Sequence, residues 1–294
     1  MSTQQVAYPV GLQRQVDDYL AQLRFGREAQ TAGLEEAMRY SLLAGGKRIR
    51  PVLSLAVAEA LGRDPASVLP LAASIELIHT YSLIHDDLPA MDDDDMRRGQ
   101  PTCHVRFGED VAILAGDGLF AEAISLVVRN QRDEPQLVLD ALGELADAAG
   151  VSGMVGGQFV DVSGGDGFDA DGIRRLHELK TGRLIAASVD CVLRVTGTTE
   201  PATIPYRRFA AELGVLFQIV DDILDVTGDE EALGKPQGSD ERHGKSTYAS
   251  IFGLDRAREL AVDSHRKARK ALADADGSTA TLEQITDYIL TRQR

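Results

Sequence analysis

SIELIHTYSLIHDDLPAMDDDDMRRG, residues 74–99, runs from an apolar helical pattern directly into six aspartates and then two arginines. Asp86 and Asp87 end the helical run, at a helix C-terminus where the macrodipole disfavours negative charge by a few tenths to roughly 1 kcal/mol. Most charge runs are solvated loops, but such a loop gains nothing from two carboxylates projecting from the end of a structured element. A cation that neutralises them supplies the reason. Oxygen ligands without histidine or cysteine select hard cations, and Mg²⁺ takes one or two carboxylates together with waters and substrate phosphates. The stretch therefore predicts a helix that carries a metal and, through it, a phosphorylated ligand.

A second acidic set, LFQIVDDILDV at 216–226, lies inside another amphipathic pattern. Asp221 and Asp225 are four apart, Asp222 and Asp225 three apart, and Gln218 is one turn earlier, so on a helix they share a face. Ile219, Val220, Ile223, Leu224 and Val226 place these carboxylates at the edge of a core, where unpaired charge costs several kcal/mol. A helix surface facing water is the alternative, and the close interleaving of apolar residues disfavours it. Two aspartate sets on two helices can face each other across a bundle and clamp metals between them.

Outward from these motifs the period stays helical. Apolar residues recur at three and four positions in 56–61, 71–83, 111–128, 137–149, 173–195, 206–225, 254–272 and 282–290, with abundant alanine. No segment alternates. Breaks fall where Gly, Pro and Asp cluster, at 61–67, 132–136, 163–172, 196–205 and 227–246. No linker separates differently composed halves and no fixed-period repeat is present, so one all-α domain over 1–294 is expected. The break at 227–246 is longer than a passive connection and predicts a functional lid.

Composition narrows the function classes. The chain has 294 residues, 44% of them apolar, enough to fill a real core. A net charge of -15 excludes a nucleic-acid partner. Two cysteines, Cys103 and Cys191, give no disulfide framework and no metal-ligand spacing, which fits a reducing compartment. No signal peptide is visible, and no uninterrupted apolar stretch reaches the roughly 20 residues that span a bilayer. The expectation is a cytoplasmic protein without a membrane partner.

Within this acidic chain the cations are concentrated. Lys47, Arg48 and Arg50 follow a glycine pair in LLAGGKRIRP, where Gly46 lets backbone approach a ligand closely. Arg97 and Arg98 follow the aspartates, Lys180, Thr181 and Gly182 lie in HELKTGR, and Lys235 and Lys245 lie in the long loop. Clustered at glycine-rich junctions beside acid sets, they read as phosphate ligands.

These residues carry a resemblance. The chain is similar to trans-polyprenyl diphosphate synthases, most of all to the bacterial farnesyl diphosphate synthase type. DDLPAMD at Asp86, Asp87 and Asp92 resembles the first aspartate-rich motif in its bacterial form, and Asp221, Asp222 and Asp225 resemble the second. GGKRIRP, IELIHTYSLIHDD, RRGQPTCH, GGQFVD, KTG, FQIVDDILD, LGKPQGSD and GKSTY resemble family blocks in the expected order, from about Met38 to Gly253.

The resemblance implies an all-α bundle of about ten or more helices around a central cavity, three Mg²⁺ ions per site and a homodimer. It implies that Asp86 and Asp92 ligate two Mg²⁺ with Asp87 in support, and that Asp221 ligates the third with Asp222 and Asp225 in support. It places the allylic diphosphate on Arg97, Lys180, Thr181, Gln218, Lys235 and Lys245, and isopentenyl diphosphate on Gly46, Lys47, Arg50, His79 and Arg98. Lys47 and Arg50, three apart, and His79, two helical turns before Asp86, agree with that placement. His104, outside these contacts, reads as a satisfied core histidine. The implied reaction is metal-assisted loss of diphosphate from an allylic substrate (dimethylallyl, then geranyl), attack by the double bond of isopentenyl diphosphate, and proton loss to the released diphosphate. Thr181 and Gln218 would turn oxygen dipoles toward the carbocation.

Tyr81, with Ser82 beside it, is expected to set product length. Tyr81 lies five residues, roughly 7 Å, before Asp86 along the helix and leans further toward the N-terminus. An aromatic ring there favours the fifteen-carbon farnesyl product over the geranylgeranyl alternative. A ring packed in the core, with the stop on another helix, is the structural alternative. A silent regulatory paralogue would be expected to have lost aspartates or basic residues, and every such position is filled.

Overall fold

The architecture is built around one helix. In a computed structural model, which describes residues 6–26, 28–163, 168–228 and 246–292, α4 (Leu69–Asp86) is buried on nearly every side, from Leu71 to Ile84. A helix apolar all round belongs inside a core, and neighbouring helices supply that core. Before α4 come α1 (Val10–Gln22), α2 (Ala32–Leu42) and α3 (Ile49–Ala60), all of which pack on it. After it come α5 (Cys103–Phe107) and α6 (Glu109–Asn130), of which α6 forms the most extensive packing with α4.

The second half continues with α7 (Pro135–Ala149), α8 (Met154–Ser163), α9 (Ala170–His177), a single π turn (Glu178–Gly182) and α10 (Arg183–Val195). The 28-residue α11 (Glu200–Thr227) follows, then α12 (Tyr248–Phe252), α13 (Leu254–Ala273) and α14 (Ala280–Thr291). α10 packs on α3, α4, α7 and α11, and α11 packs along α13, so α4 and α11 stand in one bundle with their aspartate-bearing ends in reach of a shared cavity. The all-α class is as expected.

Local chemistry sets the helix ends. Glu134 accepts the N–H of Leu137 and Asp169 accepts that of Gly172, each satisfying an N-terminal donor. Thr247 and Ser250 form a reciprocal capping box at α12. Among the described residues the one sheet is a hairpin of two-residue strands, β1 (Met96–Arg97) and β2 (Gln100–Pro101), antiparallel with Arg97 opposite Gln100. Its turn residues Arg98 and Gly99 both have positive φ, 52° and 74°, the requirement of a tight twisted hairpin turn. Four residues in strand are too few to show as alternation.

By length and composition alone, Pro65–Asp86 and Glu109–Asn130 could cross a bilayer. In the first, 67% of the apolar window is buried inside the protein, which is what a core helix requires; in the second the share is 39%. The difference is an exposed stripe on α6: Ile113, Phe120, Ile124 and Val128.

Candidate active site

α4 delivers Asp86 and Asp87 at its C-terminal end, and the chain then folds back on that end. The backbone N–H of Asp92 donates to the Asp86 carbonyl at 2.8 Å, and that of Asp94 to the Asp87 carbonyl at 3.2 Å. Asp93 takes a positive φ of 52° in the same turn, a conformation aspartate tolerates better than most. These bonds bring Asp92 beside Asp86, which the four-residue spacing in sequence leaves open. Asp87 is buried, with the Arg97 Nε donating to both of its oxygens at 2.7 and 3.0 Å. Arg97 is thereby fixed on the hairpin by the acid motif that precedes it.

Arg98 uses its left-handed backbone to turn the other way. Its guanidinium donates to the Gly45 carbonyl and fills the place where a side chain at residue 46 would stand, with Cζ only 2.8 Å from that position. Gly46, at φ 116°, is therefore glycine because Arg98 lies against it. Lys47 holds its Nζ 5.8 Å from the Tyr288 ring centroid. Arg48, in the middle of the basic run, points inward: it donates to Asp17 at 2.9 Å, Glu76 at 2.7 Å and the Leu42 carbonyl at 2.8 Å. That buried ion network ties α1, α2 and α4 together.

A cavity of about 590 Å³ joins these parts. Of the sequence-predicted residues it is lined by Arg50, His79, Tyr81, Ser82, Asp86, Arg97, Arg98, Lys180, Thr181 and Asp221. Gly46, Lys47, Asp87, Asp92, Gln218, Asp222 and Asp225 do not line it, and Lys235, Lys245 and most of the expected lid at 227–246 lie outside the described residues. Burial and the facing Arg50 push the His79 pKa well below its usual 6.5, so its ring is neutral. Burial pushes the Tyr81 hydroxyl up to about 12, with Asp86 adding to the effect, and its ring meets Phe120 edge-on at 5.3 Å. His104, as expected, is satisfied, with Nδ1 3.1 Å from the Thr102 hydroxyl.

On the opposite wall, Lys180 and Thr181 sit in the π turn between α9 and α10. Gly157 of α8 permits this: a side chain there would meet the Lys180 backbone nitrogen at 2.3 Å. Lys180 Nζ lies 2.6 Å from Asp161. On α11, Asp221 faces the cavity and is partly exposed, whereas Asp222 and Asp225 are buried. Asp222 accepts from Gln218 Nε2 at 2.7 Å and from the Tyr248 N–H at 2.7 Å, so the Gln218 amide is committed to a carboxylate. His177, stacked on Tyr248 and pushed down to about 4 by burial, lies 3.8 Å from Asp222.

Several participants carry no strong sequence signal. Asp161 and Gln158 lie in GGQFVD, and Gln158 lines the cavity with both amide atoms buried and unpartnered among the described residues. Arg292, from the end of α14, pairs with Asp221 across 71 residues of sequence. Nothing around it in the sequence marks it.

The donor set fits Mg²⁺. Asp86 and Asp221 bring carboxylate oxygen from two helices to one cavity that also holds arginines and a lysine. Among the described residues no three or more His, Cys, Asp or Glu side chains converge as a metal site by themselves, so a metal here would need ligands from outside the protein. An open oxygen site of this kind leaves coordination positions for waters and phosphate oxygens, the arrangement Mg²⁺ favours.

The chain is 47% identical to a farnesyl diphosphate synthase of Geobacillus stearothermophilus over 264 residues, 89% of each chain. It is 46% identical to the large subunit of a heterodimeric geranylgeranyl pyrophosphate synthase of Arabidopsis thaliana, covering 88% of this chain and 72% of that one. In fold it matches a geranyltransferase from Helicobacter pylori complexed with magnesium and isoprenyl diphosphate, with TM-score 0.85, 31% identity and 98% coverage of both chains. The polyprenyl synthetase profile matches residues 31–289, and the chain belongs to that family.

Proposed function

We propose that this prenyltransferase joins isopentenyl diphosphate head-to-tail to dimethylallyl and then geranyl diphosphate, giving farnesyl diphosphate. The observation that carries the reading is the cavity, in which Asp86 and Asp221 face Arg50, Arg97, Arg98 and Lys180 above walls that include Tyr81, Met154, Phe159 and Phe217. Cations and carboxylates suit two diphosphates with metal between them, and the apolar wall suits a hydrocarbon chain. Farnesyl is favoured by the Geobacillus relative; a geranylgeranyl product is the alternative suggested by the Arabidopsis one.

Arg97, Lys180 and Thr181 hold the allylic diphosphate, with Lys235 and Lys245 completing the set, while Gln218, its amide nitrogen held by Asp222, turns its oxygen toward the carbocation instead of binding diphosphate. Arg50, His79 and Arg98 hold isopentenyl diphosphate, with Gly46 and Lys47 at its edge. Asp86, Asp92 and Asp221, supported by Asp87, Asp222 and Asp225, would hold three Mg²⁺, which would supply positive charge to the oxygens of the leaving diphosphate. Lys180 exchanges Asp161 for a diphosphate oxygen, so its ammonium is already aimed before substrate arrives. As the allylic C–O bond breaks, electrons leave with the diphosphate. The double bond of isopentenyl diphosphate then forms the new C–C bond, and a proton passes to the released diphosphate. Neutral His79 donates one hydrogen bond without adding charge, and the apolar wall keeps water from the cation.

One domain over 1–294, a cytoplasmic location and a homodimer complete the reading. The α6 stripe of Ile113, Phe120, Ile124 and Val128 supports the dimer, because on a chain of net charge -15 it is a surface with a single exposed acid, Asp117, along it. Purified protein with Mg²⁺, isopentenyl and geranyl diphosphate should give a fifteen-carbon diphosphate by mass spectrometry. Asp86→Asn and Asp221→Asn should each abolish turnover while melting like the parent; turnover retained in either would refute the assignment.

A further inference from the structure

Arg292 occupies an unusual place for a residue outside the motifs. Its side chain is 7% exposed and its guanidinium carbon lies over the Phe217 ring, 4.4 Å from the centroid. Nη2 donates to Asp221 Oδ1 and contacts the Phe217 carbonyl at 3.4 Å. Arg50 lies over the same ring at 5.8 Å. Each of these two arginines has a buried Nε with no hydrogen-bond partner among the described residues.

A guanidinium donating to a carboxylate oxygen removes that oxygen from the set open to a metal, since both need the same lone pairs. The cation–π contact with Phe217 and the burial of the side chain hold the guanidinium in place, so little conformational entropy opposes the pair. The unpartnered Nε groups are the other half of the argument. Buried donors without acceptors are unfavourable, and an arriving diphosphate offers the acceptors that carboxylate Asp221 alone does not supply.

We propose that Arg292 is the place-holding cation of Asp221: it neutralises that carboxylate until a diphosphate engages the two arginines, so that Asp221 takes a divalent metal with the diphosphate and not before it. This orders the third metal after the anion and protects a negatively charged chain from an unpaired carboxylate at its cavity. The inference rests on reading Asp221 as a metal ligand, and goes beyond it by assigning the order of loading and the residue that enforces it.

The test is Mn²⁺ binding to the full chain without any diphosphate, counted by electron paramagnetic resonance of free Mn²⁺. Arg292→Gln should gain a Mn²⁺ site at least about tenfold tighter than the parent chain shows there, a change within the usual range of coupling between sites. Arg292→Met, which keeps an apolar stem on Phe217, is a second neutral variant and should behave alike. Arg292→Lys, which keeps the charge, should bind as weakly as the parent. Adding Asp221→Asn to Arg292→Gln should remove the gained site. Superposed isotherms for the parent and both neutral variants, or a gained site in Arg292→Lys, would overturn the proposal. Failure of the underlying metal reading looks different: Mn²⁺ binding would then respond to Asp86→Asn and be indifferent to Asp221→Asn in every background.

Discussion

Replacing Tyr81 by alanine should lengthen the product by one isoprene unit. Tyr81 is 9% exposed, lines the cavity one and a half turns before Asp86 and rests edge-on against Phe120 at 5.3 Å. Because the ring borders space that already exists, its removal enlarges the cavity and leaves no sealed void. The stability loss should therefore fall below the 3–5 kcal/mol typical of a fully enclosed aromatic. An additional isoprene unit carries five carbons; at about 0.8 kcal/mol per buried CH₂ its burial contributes up to roughly 4 kcal/mol. That is enough to shift a product ratio by two or more orders of magnitude, since about 1.4 kcal/mol is tenfold. The assay is chromatography and mass spectrometry of products from Tyr81→Ala with isopentenyl and geranyl diphosphate, beside a thermal melt. Twenty-carbon diphosphate should predominate, while Tyr81→Phe should leave fifteen. Phe120 becomes the next barrier, so Tyr81→Ala with Phe120→Ala should run longer still. A folded, active Tyr81→Ala with an unchanged product would show that the stop lies on another helix.

Three further outcomes follow from the packing. Arg48→Met leaves Glu76, 2% exposed, without its cation, and should lower stability by about 3–5 kcal/mol in denaturant unfolding; a change under 1 kcal/mol would mean the network is not a single unit. His79 has a folded pKa well below its unfolded 6.5, so the folded chain binds fewer protons. Its contribution is then complete above about pH 6.5 and declines as pH falls toward the folded value; His79→Gln should flatten the fall in melting temperature between pH 7 and 5, and an unaltered slope would assign that fall elsewhere. Ile124→Lys, in the middle of the exposed α6 stripe, should convert a dimer to a monomer in sedimentation; a dimer that persists would move the interface off α6.

Both aspartate helices were legible because each couples an apolar period to acids at fixed spacing, and periodicity reports burial directly. α4 and α11 stand where that pattern puts them. α8 was less legible: Met154–Ser163 is interrupted by Gly156, which clears the Val151 carbonyl, and by Gly157, which admits the π turn, and neither satisfies a period. The segment 173–195 reads as one helix, and the structure divides it at Glu178–Gly182, a change of winding that leaves hydrophobicity untouched. Within the basic run, Lys47, Arg48 and Arg50 look equivalent in sequence. Only the left-handed backbone at Arg48, φ 54°, turns it into the core while Arg50 reaches the cavity. The pairing of Arg292 with Asp221 arises from tertiary packing of α14 on α11, which no local pattern encodes.

The π turn also sets how this chain can change its length. α9, Glu178–Gly182 and α10 run on as a single rod, with Lys180 and Thr181 facing the cavity and Leu184, Ile185, Ser188 and Cys191 facing the core. Wider winding accommodates one residue more than a regular helix of the same rise. Deleting one residue between 178 and 182 would let the rod relax to ordinary winding with the helices on either side kept in register. What would be lost is the widened turn that carries Lys180 and Thr181 to the cavity. Substitutions in this segment can be graded, but its length is quantised: the widened turn is either present or absent.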